Sequence, residues 1–303
     1  MRFIRHVIII NVSATANQSP VDSDLISGSI RAAIRLSVEE LHQTRISLEH
    51  GFRCDTVRLQ EFEGEIILRY LPAGGLLLDI GTGSGIIPRA MQMMGMNVHS
   101  VDFPQAGGTE ALERLMTLGI VGHYAQVGED RLPLVDGSVD VVFCGNVIEH
   151  LPHTPRPFLA ECLRLLKPGG HLVIDTKNAV DLKTRLKMLI GISNWPAIEG
   201  VYAHDLNYFH HKEYTLVELA RVVELAGFEV VERLTEEVFF WRSLRRLGSL
   251  RLMGGDRKLA SEFATGFNPL HPYEYLRVLL LGLTLAFPNL RSDILVVGRK
   301  PNT

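Results

Sequence analysis

Short apolar runs alternate with segments of helical character between residues 75 and 176, and this alternation constrains the fold more than any other feature of the chain. The apolar runs predict strands at residues 76–80, 98–101, 139–144 and 172–175. The segments between them predict helices at residues 86–94, 109–118 and 155–166. Strands that alternate with helices form a parallel sheet covered on both faces, so we expect a doubly wound α/β domain.

The rest of the chain extends this pattern on both sides. A capping box at residues 215–218 predicts a helix over residues 216–226 that stops at Gly227, with a strand to follow at 228–231. A last strand is expected at residues 293–298. Residues 1–70 have helical character, with a second capping box at 37–40, and we expect them against one edge of the sheet.

Six segments follow from this interpretation. They are a helical N-terminal extension at 1–70, a core at 71–176, a long segment at 177–214, a core helix and strand at 215–234, an insertion at 235–291, and a last strand with its tail at 292–303. The two long segments, 177–214 and 235–291, each follow a strand. We therefore expect both to cover a binding cleft.

Composition excludes several classes of protein. Lys and Arg total 31 against 34 Asp and Glu, and a net charge of −3 argues against nucleic acid as a partner. Three distant cysteines, Cys54, Cys144 and Cys162, do not form a disulfide framework or a Cys-rich metal site. The apolar run at residues 7–10 is too short for a signal peptide, and the run at 278–287 is too short to span a bilayer. We expect a cytoplasmic protein without transmembrane helices.

A glycine-rich turn follows the first strand of the core. Its glycines are Gly81, Gly83 and Gly85, and Ile86 occupies the sixth position, where a dinucleotide fingerprint needs glycine; a P-loop lysine is also missing. A helix N-terminus behind such a turn attracts an anion. Asp79, two residues before the turn, would repel a pyrophosphate but attract an ammonium group. The ligand should therefore carry both charges, as an amino acid does.

A second acidic residue, Asp102, ends the next strand. It follows Asp79 at close to the spacing of about 20 residues at which an acid reaches ribose hydroxyls in doubly wound folds. An amino acid joined to a ribose indicates S-adenosylmethionine.

The motifs in their order resemble those of class I S-adenosylmethionine-dependent methyltransferases, the broad group that includes the ubiquinone/menaquinone-biosynthesis type. They read D-I-G-T-G-S-G, V-D-F, L-P-L-V-D-G-S-V-D-V-V-F-C-G-N-V-I-E-H-L and L-L-K-P-G-G-H-L-V-I-D. The resemblance covers residues 75–176. It implies a Rossmann-like, mostly parallel seven-stranded sheet, an inserted lid between the last two strands, and conversion of S-adenosylmethionine to S-adenosylhomocysteine.

The resemblance also implies a set of cofactor-binding residues. They are Asp79, Gly81, Gly83, Gly85, Asp102, Phe103, Glu129, Asp130 and Asn146. Asp79 would lie near the methionine amino group, with Gly81 and Gly83 on its carboxylate side. Asp102 would bind the ribose hydroxyls, and Asn146 would line the methyl-donor pocket.

The adenine end of the expected pocket departs from the family pattern. Phe103 would flank the adenine. Many relatives have an aspartate four residues before the L-P pair, where this chain has Gly128 followed by Glu129 and Asp130. Which of these two acids contacts adenine is left open.

Histidines supply the candidates for a general base, which methylation of a hydroxyl would need. His204, His210 and His211 lie where the family places its acceptor-side lid, and His150 follows the strand at 139–144. With Asp205, the first three could also bind a metal ion, but their spacing matches no known motif, and we expect no metal.

Residues 242–258 carry six basic residues and one acidic residue, with leucine at every third position from 244 to 250. This segment could be a lid helix, or together with 278–287 it could lie on an anionic membrane surface, which would favour a lipid-linked or isoprenoid acceptor. We expect methyl transfer to a small or lipid-linked metabolite, with oxygen favoured. The alternatives are a non-catalytic S-adenosylmethionine-binding partner protein and, disfavoured by Asp79 and Ile86, an NAD-dependent oxidoreductase. The oligomeric state is left open.

Overall fold

A seven-stranded sheet organises the chain in the computed structural model, which describes residues 23–43, 54–103, 109–152, 154–192, 202, 210–240 and 272–302. Its strands are β1 (Leu76–Ile80), β2 (Asn97–Asp102), β3 (Val121–Tyr124), β4 (Val139–Gly145), β5 (Leu166–Lys177), β6 (Glu229–Glu236) and β7 (Asp293–Arg299). The order is β3-β2-β1-β4-β5-β7-β6, and β7 runs antiparallel to both of its neighbours. The expected Rossmann-like, mostly parallel sheet is confirmed.

Helices cover both faces of this sheet. They are α1 (Ser23–Gln43), α2 (Cys54–Tyr70), α3 (Ile86–Met93), α4 (Thr109–Thr117), α5 (Arg156–Leu165), α6 (Leu182–Leu189), α7 (Leu216–Leu225) and α8 (Pro272–Ala286). One apolar core lies beneath α5 and α7, and a second lies beneath α1, α2 and α3. The capping box that starts α7 is present, since Thr215 and Glu218 exchange side-chain-to-backbone hydrogen bonds.

Two details of the sheet differ from the sequence-based prediction. Strand β3 was not predicted, because this edge strand is only partly buried and carries Gly122 and His123 rather than an apolar run. We expected residues 167–170 to form a turn that ends a helix before a strand at 172–175. In the structure, β5 already begins at Leu166. Leu166 pairs with Val139 and His171 with Val141, so the intervening residues bulge out of a continuous strand.

The N-terminal helices also differ from expectation. Ser37 was expected to cap a helix, but it lies inside α1, where it is buried and donates a hydrogen bond to the carbonyl of Ile86 at 3.2 Å. The expected position at the sheet edge is wrong as well. Ile66 and Ile67 of α2 pack with Val173 of the inner strand β5, so this helix covers a face of the sheet. Tertiary packing accounts for both the position of Ser37 and the position of α2.

The carboxyl ends of the parallel strands form one edge of the sheet, where ligands bind in folds of this type. Helix α6 starts at this edge after β5, and α8 leads back to it before β7. Asn178 ties the two connections together, because its side-chain amide donates to the carbonyls of Asn289 and Arg291. In the parts of the chain that the structure describes, no helix combines the length and apolar character needed to cross a bilayer.

Buried carboxyl groups lie under this edge. Glu63 of α2 and Asp175 of β5 are almost fully buried and lie close to each other, so burial raises the pKa of both carboxyls and the charge of Glu63 raises that of Asp175 further. Burial is the main reason that the pKa of Glu63 rises to about 8, and the charges of Asp293 and Asp79 raise it further. Lys177 forms an ion pair with Asp293 and partly offsets this negative charge.

We expect the free energy of unfolding to fall as the pH rises from about 5 to about 8, because the folded chain binds a proton at Glu63 that the unfolded chain has lost. Glu63→Gln, which cannot ionise, should flatten this dependence. Urea unfolding at a series of pH values measures it. Glu39→Gln, at an exposed position of α1, is the control. An unchanged slope in Glu63→Gln would contradict the raised pKa of Glu63.

Candidate active site

The turn between β1 and α3 is built from glycine because its backbone requires it. Gly81, Gly83 and Gly85 have φ angles of 81°, 53° and 75°, a region that favours glycine. The amide of Gly81 donates to the carbonyl of Val101 at 2.9 Å, and a Cβ atom at this residue would lie 2.3 Å from a methyl group of Val147. The turn therefore lies close against β2, with the N-terminus of α3 directly behind it.

Asp102 is held by this turn at the end of β2. Its Oδ2 accepts a hydrogen bond from the amide of Gly83 at 3.2 Å, and its Oδ1 accepts one from the amide of Phe103 at 2.7 Å. Burial raises the pKa of Asp102, and the two amide bonds oppose this effect. The fixed carboxylate keeps further lone pairs that can accept from vicinal hydroxyls. Phe103 follows directly and is half-buried.

Asp79 lies beside Ser100 in the neighbouring strand, one residue before the end of β1. It is buried, and its Oδ2 accepts a hydrogen bond from the Ser100 hydroxyl at 3.3 Å. Burial, and next the charge of Asp102, raise the pKa of Asp79 to about 7. A ligand that brings a cation to this edge would relieve the repulsion between the two carboxylates.

Asn146 follows β4 in a strained conformation. Its φ angle is 52°, and among the described residues it is the one non-glycine residue in this region. Two hydrogen bonds to Asp175 hold it, from its backbone amide at 3.1 Å and from its side-chain amide at 2.9 Å. Asp175 in turn faces Glu63 of α2. Asn146 is therefore held by a buried residue of β5, which itself packs against a buried residue of α2.

The two acids expected near adenine lie in the loop after β3, and both are exposed. The carboxylate of Asp130 accepts a hydrogen bond from the amide of Gln126 at 2.8 Å and so closes its own loop. Contact of either Glu129 or Asp130 with adenine stays a prediction.

Two of the four candidate histidines lie together. The rings of His150 and His210 meet edge to face, with their centroids 4.8 Å apart. Nδ1 of His210 lies 3.0 Å from Oε1 of Glu213, and this bond is the main reason that the pKa of His210 is raised. His211 binds through its backbone, donating to the carbonyl of Glu149 at 2.7 Å. His204 lies outside the described residues.

Glu149 lies beneath these histidines and was missed by the sequence analysis. It is fully buried, burial raises its pKa, and neither carboxylate oxygen has a hydrogen-bond partner among the described residues. Ligand atoms of Glu149, His150 and His210 lie within 4.8 Å of one another, so these three side chains could hold a metal ion. The expectation that no metal is bound stays a prediction.

Glu213 was missed as well. Two signals in the sequence could have pointed to these acids, because Glu149 directly precedes His150 and Glu213 lies on the same short segment as His210. The sequence could not supply the contact between these two segments, which are joined by the hydrogen bond from the His211 amide to the Glu149 carbonyl.

Comparisons with known proteins agree with this geometry. A family described as "Methyltransferase domain" matches residues 78–174. A ubiquinone biosynthesis O-methyltransferase of Burkholderia pseudomallei is 34% identical over 164 residues, which are 54% of this chain and 68% of that protein. The corresponding protein of Cupriavidus pinatubonensis is 32% identical over 161 residues, or 53% of this chain and 62% of that protein.

Solved structures show the same fold at low sequence identity. A structure described as a sarcosine dimethylglycine methyltransferase from Galdieria sulphuraria has a TM-score of 0.51 and 15% identity. The match covers 81% of this chain and 86% of that chain. The [4+2]-cyclase SpnF has a TM-score of 0.51 and 16% identity, with 94% and 98% covered. The fold by itself thus occurs in proteins named for different reactions.

The chain belongs to the class I S-adenosylmethionine-dependent methyltransferases. It spans 62% to 68% of the length of the two curated relatives described above. The residues at the carboxyl edge fit the cofactor, because a close-packed glycine turn leaves room for its amino-acid end and the fixed carboxylate of Asp102 can accept from its ribose.

We expect Asp102→Ala to weaken binding of S-adenosylhomocysteine by about 1–3 kcal/mol, the usual loss when hydrogen-bonded polar groups are stranded. Calorimetric titration measures the dissociation constant. Glu113→Ala, which removes an exposed carboxylate from α4, should leave it unchanged. If the constant is the same in Asp102→Ala and in the parent chain, the ribose is not at the end of β2.

Proposed function

We propose that this methyltransferase acts on a hydroxyl group of a small or lipid-linked metabolite. The observation that carries the proposal is the pair formed by His210 and Glu213, which lies against His150 at the carboxyl edge of the sheet. S-adenosylmethionine, when bound, supplies a methyl group on a positively charged sulfur, which is an excellent leaving group. The residues of the chain then have to position the acceptor, exclude water and remove a proton.

His210 is suited to removing that proton. A carboxylate can only accept hydrogen bonds, so Glu213 fixes the proton of a neutral His210 on Nδ1 and leaves Nε2 as the acceptor. Edge-to-face contact with His150 holds the ring in place. We assign His210 as the general base, Glu213 as the residue that orients it, and His150 as a packing partner.

The named relatives also support oxygen as the acceptor atom. Those described above are named as O-methyltransferases of ubiquinone biosynthesis, and their identity to this chain is about one third. A hydroxyl is poorly nucleophilic until it is deprotonated, so the pair formed by His210 and Glu213 would serve as the base. The same names support an acceptor that carries an isoprenoid chain, the finer form of the proposal.

A protein that binds S-adenosylmethionine without turnover is the alternative from a different class. It would share Asp79, Asp102 and the glycine turn with an enzyme. It would have no need of a buried carboxyl such as Glu149 beneath two histidines, because such a group destabilises the fold. This arrangement favours catalysis.

Methyl transfer can be tested with S-adenosylmethionine that carries a labelled methyl group. We expect label to enter a phenol that bears an isoprenoid chain, and to enter an otherwise identical aniline at least about tenfold more slowly, since the histidine base acts on a hydroxyl. Extraction into organic solvent and counting measures both rates. Equal labelling of phenol and aniline would contradict the choice of oxygen, and absence of label with every acceptor would favour the non-catalytic alternative.

We expect His210→Gln to lower kcat by about 10²–10⁴-fold while binding of S-adenosylhomocysteine stays unchanged, because the variant loses the base but not the cofactor pocket. Glu213→Gln should lower kcat less, since it removes only the orienting group. His123→Gln, at the opposite part of the sheet on β3, is the matched control. A His210→Gln enzyme with the parent kcat would exclude His210 as the base.

Treatment with a chelator distinguishes a histidine base from a metal ion bound at the same site. With His210 as the base, turnover persists after treatment with excess chelator. Loss of turnover that returns on addition of Mg²⁺ or Zn²⁺ would instead assign Glu149, His150 and His210 as ligands.

A further inference from the structure

Helix α8 has its apolar side on the outside. Leu276, Leu279 and Leu283 recur at helical spacing and are exposed, Leu279 by 63%. The opposite side of the helix buries Arg277 and Thr284. A surface helix of a globular protein normally turns its leucines inward and its charged residues outward. In α8 Leu281 does point inward, but the exposed leucines and the buried Arg277 depart from this rule, as in a helix whose outer side meets an apolar medium.

Helix α6 shows a second apolar stripe. Leu182, Leu186, Leu189 and Ile190 follow the spacing i, i+4, i+7 and i+8, so they lie along one side of the helix. Leu182 is buried at the start of the stripe, but Leu189 and Ile190 at its end are exposed by 82% and 73%. The stripe therefore begins in the core and ends exposed on the protein surface.

Basic residues border the stripe of α6 on both sides. At about 100° per residue, Arg185 and Lys187 lie on opposite flanks of Leu186. The sequence has no acidic residue between Asp181 and Glu199. Apolar side chains flanked by basic ones are typical of helices that lie in a lipid interface, where the apolar groups enter the acyl region and the cations meet headgroup phosphates.

The two helices belong to one surface. Leu182 of α6 and Leu281 of α8 share a small apolar cluster with Phe240. Both helices are connected to the carboxyl edge of the sheet, α6 through β5 and α8 through β7. A membrane against these helices would therefore lie next to the proposed acceptor site.

We propose that the exposed side of α6 from Leu186 to Ile190 and the outer leucines of α8, here called the α6–α8 face, dock on an anionic phospholipid bilayer. This inference rests on the proposed function and adds to it the surface from which a lipid-linked acceptor is taken. A second copy of the chain fits the face poorly, since the stripe of α6 would bring its own cations together without acidic partners. The basic segment 242–258 lies outside the described residues and is not needed for the inference.

Sedimentation with phospholipid vesicles tests the docking. The parent chain should sediment with phosphatidylcholine vesicles that contain about one third phosphatidylglycerol, and less at high salt, because screening weakens the attraction between cations and headgroups. The double variant Leu189→Glu, Ile190→Glu should bind at least about tenfold more weakly, since it places two carboxylates where apolar side chains enter the bilayer.

Matched controls make the result specific. Val217→Glu and Leu225→Glu replace apolar residues of α7 that are exposed by 71% and 69%, so the pair adds the same two charges elsewhere on the surface. This control should bind vesicles as the parent does. Equal binding by the Leu189→Glu, Ile190→Glu variant and the parent would overturn the proposal, and so would absence of vesicle binding by the parent.

Two further measurements separate this proposal from the proposed function. The Leu189→Glu, Ile190→Glu variant should bind S-adenosylhomocysteine as the parent does, and should methylate a short-chain soluble phenol at the parent rate without vesicles. Loss of vesicle binding together with retained methylation supports the docking, whereas a parent that binds vesicles but never methylates refutes only the proposed function. Light scattering that shows a dimer in the parent and a monomer in the variant would assign the face to a second copy and overturn the proposal.

Discussion

The hydrogen bond from the amide of Gly83 to the carboxylate of Asp102 joins the two strand ends on which the site is built. It can form because the glycine turn adopts positive φ angles and lies close against β2. Parallel pairing of β1 with β2 then places Asp79 beside the strand that ends in Asp102. Two buried carboxylates so close together raise the pKa of Asp79 and oppose folding. A cationic, ribose-bearing ligand relieves that cost.

Further buried carboxyl groups with raised pKa values lie beneath the candidate site. Glu63 of α2 lies beside Asp175 of β5, and Asp175 holds the strained Asn146 at the end of β4. Strain of this kind persists only where the surrounding structure over-determines it. Helix α2 thus lies next to the candidate site in addition to covering the sheet, because its Glu63 lies beside the carboxyl that binds Asn146. Stability and function are coupled through these groups.

In the proposed function, cofactor binding and acceptor handling are separated in this fold. The cofactor end uses short turns after β1 and β2, whose geometry is set by backbone hydrogen bonds. The acceptor side uses long connections after β4 and β5, where His150 and His210 meet. The apolar sides of α6 and α8 border the same edge of the sheet. An enzyme arranged in this way can keep one cofactor site while its acceptor changes with the connections.

The sequence by itself determined the alternation of strands and helices, the glycine turn and the two acids at strand ends, because each depends on local periodicity or on backbone angles near one residue. The sequence did not predict the edge strand β3, since this strand lacks an apolar run. Only the tertiary structure decided that Ser37 donates to the carbonyl of Ile86, that Glu213 lies at hydrogen-bond distance from His210, and that α6 and α8 expose leucines. These features depend on contacts between residues far apart in the chain, which neither spacing nor composition encodes in a readable form.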